Sequence, residues 1–317
     1  MSFCFLGTGM YVPSKIVTND DLAQIVETND EWITQRVGVK QRHISTDETA
    51  ADMGIKAAQQ ALENSGIKPE ELDLIIAASI SSETASPSVS CLIQNALGVS
   101  CMAFDVSAAC AGFLFVLETA AAYMSTGKYK KVLVVGAERI SRLLDWDDRA
   151  TCVIFGDGAG AAVLGEGNGY TDSVFKVKGG DEVINIPRFH GKSPFWTGTD
   201  IKPYIHMNGQ ETFKFAVNSI VHDITEILDR NKLSPEDISC FVLHQANMRI
   251  IDFASRKLKI PMEKFVVNID KYGNTSSASV PIALHEAVSD GRIKRGDKII
   301  MAAFGGGLSS AANLITW

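Results

Sequence analysis

Two stretches of this chain, about 160 positions apart, carry the same order of signals. The first has the strand Phe104-Asp105-Val106, a loop of small residues around Cys110, a helical stretch ending at Gly127 and an apolar strand at 131–137. The second has an apolar run at 266–269, the loop Tyr272-Gly273-Asn274-Thr275, a helical stretch ending at Gly291 and an apolar strand at 298–304. Cys110 and Asn274 fall at matching places, each where a strand hands over to a helix. An upstream pair repeats the pattern: Pro69-Glu70-Glu71-Leu72-Asp73 leads into a strand at 74–78, and Pro235-Glu236-Asp237-Ile238-Ser239 into one at 240–244. A duplicated strand–helix–strand chain predicts an α/β fold of two similar halves, their sheets buried under helices.

The length of 317 residues suits two halves of about 150 residues each. The predicted boundary lies in Gly165-Glu166-Gly167-Asn168-Gly169, giving halves 1–167 and 168–317. No flexible linker separates them, so they should pack as one body. A net charge of −7 argues against a general nucleic-acid binder. The apolar stretch 108–124 is cut by Glu118 and is too short for a membrane span, so it reads as a buried helix. The first residues lack a signal-peptide pattern, and the six cysteines include no CxxC pair. These features predict a cytoplasmic protein with reduced thiols, no membrane association and no metal.

Further strands are expected at 4–9, 152–155, 160–165, 175–179, 205–207 and 312–316. Helices are expected at 19–27, 30–37, 48–64, 88–97, 209–231 and 247–257. The 48–64 helix should start on Thr49-x-x-Asp52 and stop at Gly66. Gly156-Asp157-Gly158-Ala159-Gly160 lacks the following helix that a dinucleotide fingerprint needs, and reads as a tight hairpin.

Three polar residues stand out as chemistry. Cys110, at the start of a helix among small neighbours, is placed where the dipole lowers a thiol pKa, although most free cysteines are inert and buried. His244 ends a strand in Val242-Leu243-His244-Gln245-Ala246-Asn247, where it faces either a pocket or a satisfied core. Asn274 has the context of an ordinary turn residue, but the duplication sets it and His244 on the same side of the sheet as Cys110. Gly305-Gly306-Gly307 is too short for a phosphate loop and suits a backbone N–H beside a reacting carbonyl. On the helix after His244, Arg249 and Arg256 share a face, with Lys257 adjoining and Lys214 on the earlier helix. They form a basic patch or a merely solvated surface.

Ala109-Cys110-Ala111-Gly112-Phe113, His244-Gln245-Ala246-Asn247, Tyr272-Gly273-Asn274-Thr275 and the glycine run together resemble the 3-oxoacyl-[acyl-carrier-protein] synthase III family. Asn29-Asp30-Glu31-Trp32-Ile33 and Phe155-Gly156-Asp157-Gly158-Ala159-Gly160 add to the resemblance, which runs from the first strand to the last. It implies a thiolase-like fold with layers α-β-α-β-α, a homodimer, and initiation of type II fatty acid synthesis. The implied reaction is ping-pong. Cys110 takes an acyl group from acyl-CoA, and malonyl-acyl carrier protein then loses carbon dioxide and attacks the thioester.

The resemblance makes Cys110 the nucleophile and His244 and Asn274 the donors to the enolate oxygen. The N–H groups of Cys110 and Gly306 form the oxyanion hole. It assigns CoA binding to Thr28, Trp32, Arg36, Arg149, Asn247 and Phe304, with Trp32 and Arg149 sandwiching the adenine. Lys214, Arg249, Arg256 and Lys257 would dock the carrier protein. No cofactor is implied, CoA thioester being a substrate. Ser86 stands before Pro87-Ser88 where acetyl-selective members carry an aromatic, which predicts room for longer or branched primers. A thiolase would need a second cysteine near Gly305–Gly307 and a hydroxymethylglutaryl-CoA synthase an acidic residue, and neither stands in these motifs. An acyltransferase or a secondary-metabolite condensing enzyme would keep the triad, whereas a non-catalytic acyl-binding protein would not need it.

Overall fold

Apolar runs bounded by turn residues become the buried strands of two sheets. The computed structural model describes residues 2–187, 194–195 and 203–317. The first sheet holds β1 (Ser2–Tyr11), β2 (Leu74–Ala78), β3 (Met102–Val106), β4 (Lys131–Arg139) and β5 (Asp157–Gly167), in the order β1-β5-β4-β2-β3. The second holds β6 (Tyr170–Val177), β7 (Cys240–Leu243), β8 (Lys298–Gly305) and β9 (Ser309–Thr316), in the order β6-β9-β8-β7. The pairing repeats position by position. β1 with β5 and β6 with β9 are antiparallel, as are β5 with β4 and β9 with β8. β4 with β2 and β8 with β7 are parallel. The duplicated signals thus correspond to a duplicated topology.

The repeat is imperfect at one edge. In place of a partner for β3, the second half has a single parallel bridge between Phe241 and Phe265. The strand expected at 266–269 is therefore not formed. Asn268 turns the chain instead: its N–H donates to Gln245 Oε1 at 3.1 Å and its amide to Glu286 at 2.7 Å. A short helix, Ile269–Tyr272, follows.

Among the described residues seven helices exceed one turn and a half: α1 (Asp30–Arg36), α2 (Ala50–Ser65), α3 (Val89–Leu97), α4 (Gly112–Ser125), α5 (Gly209–Asn231), α6 (Met248–Leu258) and α7 (Ser279–Ser289). Thr49 and Asp52 form the expected capping box on α2, which ends at left-handed Gly66. Phe113 and Leu117 of α4 and Val280 and Leu284 of α7 join one core with Val134 and Val242, so these two helices fill the space between the sheets. Met53 and Ile93 pack on the outer face of the first sheet, and Ile220 and Ile251 on that of the second. The layers are α-β-α-β-α.

Three local expectations are corrected. The strand at 152–155 is replaced by the short helix Arg149–Cys152, because the Asp148 carboxylate accepts from Ala150 N at 2.9 Å and caps it. The helix expected over 19–27 is limited to Asn19–Leu22. No hairpin forms at 156–160, where Asp157 starts β5. The glycines there serve close packing: a Cβ on Gly160 would lie 2.7 Å from Pro281 Cβ, and one on Gly156 2.3 Å from the Tyr272 carbonyl. Among the described residues no helix is long and apolar enough to cross a membrane.

Gly136 of β4 has the same duty toward the turn before α7, since a Cβ would meet the Ser277 carbonyl at 2.4 Å. Gly136→Ala should destabilise the protein by about 1–3 kcal/mol through overpacking. A thermal melt should show this as a drop of several degrees, and an unchanged midpoint would contradict the packing described.

Candidate active site

The ends of three elements meet at one cavity of about 1050 Å³, lined by Cys110, His244, Asn274, Phe304, Gly305 and Gly306 among others. Cys110 sits on the 3-10 turn Ala109–Ala111 just before α4, with Ala109 held at a φ of 46°. His244 follows β7, its N–H donating to the Ala302 carbonyl at 2.8 Å. Asn274 precedes the turn Ser276–Ala278 that enters α7. Its N–H donates to Ile154 O at 2.9 Å and its carbonyl accepts from Gly156 N at 3.1 Å. The matching positions of the duplication thus stand at the entrances to the two central helices.

Each side chain is fixed from behind. Gln245, next to His244, is fully enclosed; its N–H donates to Ser279 Oγ at 2.7 Å and its amide to the carbonyls of Leu243 and Val266 at 2.8 and 3.0 Å. This bracket sets where β7 stops. The His244 ring meets the Phe304 ring edge-on, with centroids 5.3 Å apart. Asn274 Oδ1 accepts from Ser276 N at 2.8 Å, which leaves the amide N–H donors for the cavity. Gly305 lies so close to the nucleophile that a Cβ would be 2.7 Å from Cys110 N. At Gly306 a Cβ would make only ordinary contacts, the nearest at 3.5 Å.

Electrostatics correct one expectation. Burial pushes the Cys110 thiol up to about 12, with the Glu138 carboxyl adding in the same direction. The helix-start argument predicted the opposite because it counted the dipole and left out desolvation. Burial also lowers His244 to about 3, so its ring is neutral at ordinary pH. Of its two nitrogens, Nδ1 is buried without a partner, which leaves Nε2 to face the cavity. A neutral imidazole and a primary amide are donors that cost no charge separation, suited to oxygen on which negative charge develops.

Asn247 lines the cavity mouth, where it caps α6 and donates through Nδ2 to the Arg36 carbonyl at 3.1 Å. Arg36 itself is exposed. The Arg149 guanidinium lies 4.8 Å over the Trp32 ring and donates to Glu27 O at 2.9 Å. The two are brought together, yet in direct contact they leave no slot for a third ring, so an adenine would have to part them. Thr28 Oγ1 is buried and unpartnered nearby. Lys214, Arg249, Arg256 and Lys257 are exposed. Arg249 stacks 5.3 Å over Phe213, a cavity residue, whereas Arg256 is engaged with Asp252 at 2.6 Å.

Ser86 is exposed and does not line this chain's cavity; Thr84 and Ala85 do. Sequence reasoning also missed the apolar wall of Ile80, Leu143, Ile205 and Met207, which comes from short segments without a motif. It missed Glu138 and Ser276 beside Cys110 as well. Among the described residues no cluster of His, Cys, Asp and Glu could hold a metal ion.

Known proteins share this arrangement. The sequence profile of 3-oxoacyl-[acyl-carrier-protein (ACP)] synthase III matches residues 104–181, and that of its C-terminal part residues 228–317. Beta-ketoacyl-[acyl-carrier-protein] synthase III of Clostridium acetobutylicum is 47% identical, with 98% of each chain covered. The enzyme of the same name from Methylococcus capsulatus is 48% identical, again over 98% of each chain. The crystal structure of the Aquifex aeolicus synthase III superposes with a TM-score of 0.93 at 45% identity, covering 99% of this chain and 100% of that one. The chain belongs to the 3-oxoacyl-[acyl-carrier-protein] synthase III family. It is therefore an acyltransferase with the thiolase-like fold.

In this synthase III chain the neutral state of His244 has a measurable signature. An unfolded His takes up a proton below about 6.5, whereas the native ring refuses it until about 3. The unfolded state then binds more protons, so stability falls as pH falls from 6.5 toward 3. His244→Gln should flatten that slope in denaturant titrations at several pH values, and an unchanged slope would mean the native ring is charged. Gly305→Ala should slow acylation of Cys110 at least tenfold by displacing its N–H, with rapid-quench mass spectrometry as the readout.

Proposed function

We propose that the chain joins an acyl-CoA primer to malonyl-acyl carrier protein by decarboxylative condensation, opening type II fatty acid synthesis. The observation that carries this is the convergence of Cys110, His244 and Asn274 on one cavity beside the Gly305–Gly307 run. Cys110 attacks the primer thioester and CoA leaves as its thiol. The N–H groups of Cys110 and Gly306 hold the tetrahedral oxyanion. Malonyl thioester then loses carbon dioxide, which places negative charge on its thioester oxygen. His244 Nε2–H and the Asn274 amide donate to that oxygen, and the enolate carbon attacks acyl-Cys110. Decarboxylation makes the nucleophile, so no step calls for a carboxylate base on the substrate or for a metal.

Trp32, Arg149, Thr28, Arg36 and Asn247 would carry CoA along the approach beside α1, with Phe304 next to the thiol. Arg249 is the strongest docking cation for an acidic carrier protein, since its position over Phe213 puts it at the cavity mouth. Lys214, Lys257 and Arg256 extend the patch. We take 1–167 and 168–317 as the two halves of a cytoplasmic homodimer. β3 supports the dimer: it is an edge strand with Met102 exposed, and an open edge invites cover by a second copy. The exposed 84–87 loop would then close the primer pocket between copies, where Ser86 leaves room for longer or branched acyl groups.

Intact-mass measurement separates the half-reactions. Cys110→Ala should form no adduct with acetyl-, butyryl- or isobutyryl-CoA. His244→Ala and Asn274→Ala should form the adduct but discharge it with malonyl-carrier protein at least a hundredfold more slowly. Equal loss of both half-reactions would contradict this division of roles.

A further inference from the structure

His244 and Asn274 must present their donors to one oxygen, yet they stand on separate segments, one just after β7 and the other before α7. The two segments are joined through Glu286 of α7, a mostly buried carboxylate to which the condensation scheme gives no part. Its Oε2 accepts from Asn268 Nδ2 at 2.7 Å, and its Oε1 accepts from Tyr272 Oη at 2.8 Å and Lys271 Nζ at 3.2 Å. Every partner is a donor, which suits a group whose two oxygens accept. The phenol remains one, because burial and then the carboxylate itself push the Tyr272 hydroxyl up. Asn268 stands immediately before the short helix Ile269–Tyr272, and Tyr272 ends it. One carboxylate therefore fastens both ends of that helix to α7.

Each end leads to one donor. From Tyr272 the chain passes Gly273, held at a φ of 65°, straight to Asn274. From Asn268 the path runs through a hydrogen bond: its N–H donates to Gln245 Oε1 at 3.1 Å, and Gln245 follows His244. The Gln245 amide is fixed in that sense, because its Nε2 donates to the carbonyls of Leu243 and Val266. Gln245 N–H donates to Ser279 Oγ, and Ser279 lies about two turns before Glu286 on the same face of α7. The Lys271 contact differs: its side chain is half exposed, and it directs neither donor.

Two donors stabilise one developing charge only where both reach the same point, and a misplacement of about 1 Å can cost a hundredfold in rate. The bonds of Asn274 to Ile154 and Gly156, and of His244 to Ala302, fix each donor to its own neighbours. The Glu286 contacts fix one donor relative to the other. We propose that Glu286 is a positioning residue for condensation, clamping the helix Ile269–Tyr272 to α7 so that His244 and Asn274 meet the enolate oxygen together. Glu286 touches no substrate. It has no part in acylation, where the N–H groups of Cys110 and Gly306 hold the oxyanion.

The clamp rests on the enolate-donor reading of His244 and Asn274, and one set of measurements separates the two. Rapid-quench mass spectrometry on the full chain follows acylation by acetyl-CoA and discharge of acetyl-Cys110 by malonyl-acyl carrier protein, with thermal melts of each variant. Glu286→Gln sets an amide donor against Asn268 or Tyr272. It should slow discharge roughly tenfold, while acylation stays close to the unsubstituted rate. Tyr272→Phe removes one donor but keeps the ring. It should slow discharge with the same selectivity, and it decides the matter if Glu286→Gln does not fold. Its effect should vanish in an Asn274→Ala background, because the hydroxyl acts through that side chain, whereas a general loss of structure would persist there. Discharge at the unsubstituted rate in either folded variant, equal slowing of both half-reactions, or a Tyr272→Phe effect that survives Asn274→Ala overturns the clamp. The donor reading then stands, provided His244→Ala and Asn274→Ala discharge slowly. Normal discharge in those two variants overturns the donor reading, and the clamp with it.

Discussion

The site depends on how closely the backbone can pack where the two central helices begin. Three glycines set that distance. A Cβ on Gly112 would lie 2.8 Å from Ala78 Cβ, one on Gly136 2.4 Å from the Ser277 carbonyl, and one on Gly305 2.7 Å from Cys110 N. They let the turn before α4, the turn before α7 and the end of β8 approach within backbone contact. Side chains of any size at these positions would hold the two halves apart. Cys110 and Asn274 are then brought to one cavity by the same duplicated geometry, and His244 arrives on the strand beside β8.

Burial at this junction decides the charge state of the chemistry. His244 is driven neutral and the Cys110 thiol is driven to keep its proton. Each polar group is therefore held by neutral partners: Gln245 braces the end of β7, and Ser276 N holds Asn274 Oδ1. A site built this way stabilises developing charge with oriented dipoles that are already in place, and pays no reorganisation during reaction.

Most of the fold could be read from the chain because its signals are local. The Thr49–Asp52 box and left-handed Gly66 mark the two ends of α2. The duplication then put the triad on one side of the sheet. What could not be read depends on competition or on contacts distant in sequence. The apolar run 152–155 lost to the Asp148 cap, and the run 266–269 lost to Asn268, held by Gln245 and Glu286. Gly156–Gly160 resembled a turn because glycine's use for close approach leaves the same local pattern as its use for positive φ.

The duplication also explains why the two halves have separate tasks. A nucleophile needs a backbone N–H beside it for the oxyanion, and Cys110 has this where the Gly305 backbone crosses it. Enolate donors need the opposite: side chains that reach into the cavity while their own backbones are tied off. Asn274 meets this, with both backbone groups bound to the 154–156 segment, and His244 does so through Ala302. A cysteine at position 274 would lie against the 154–156 segment in place of the end of β8, and an asparagine at 110 would have its amide beside Gly305 with nothing to attack. Similar turns at the two helix starts therefore lead to different chemistry because only one is crossed by the end of β8.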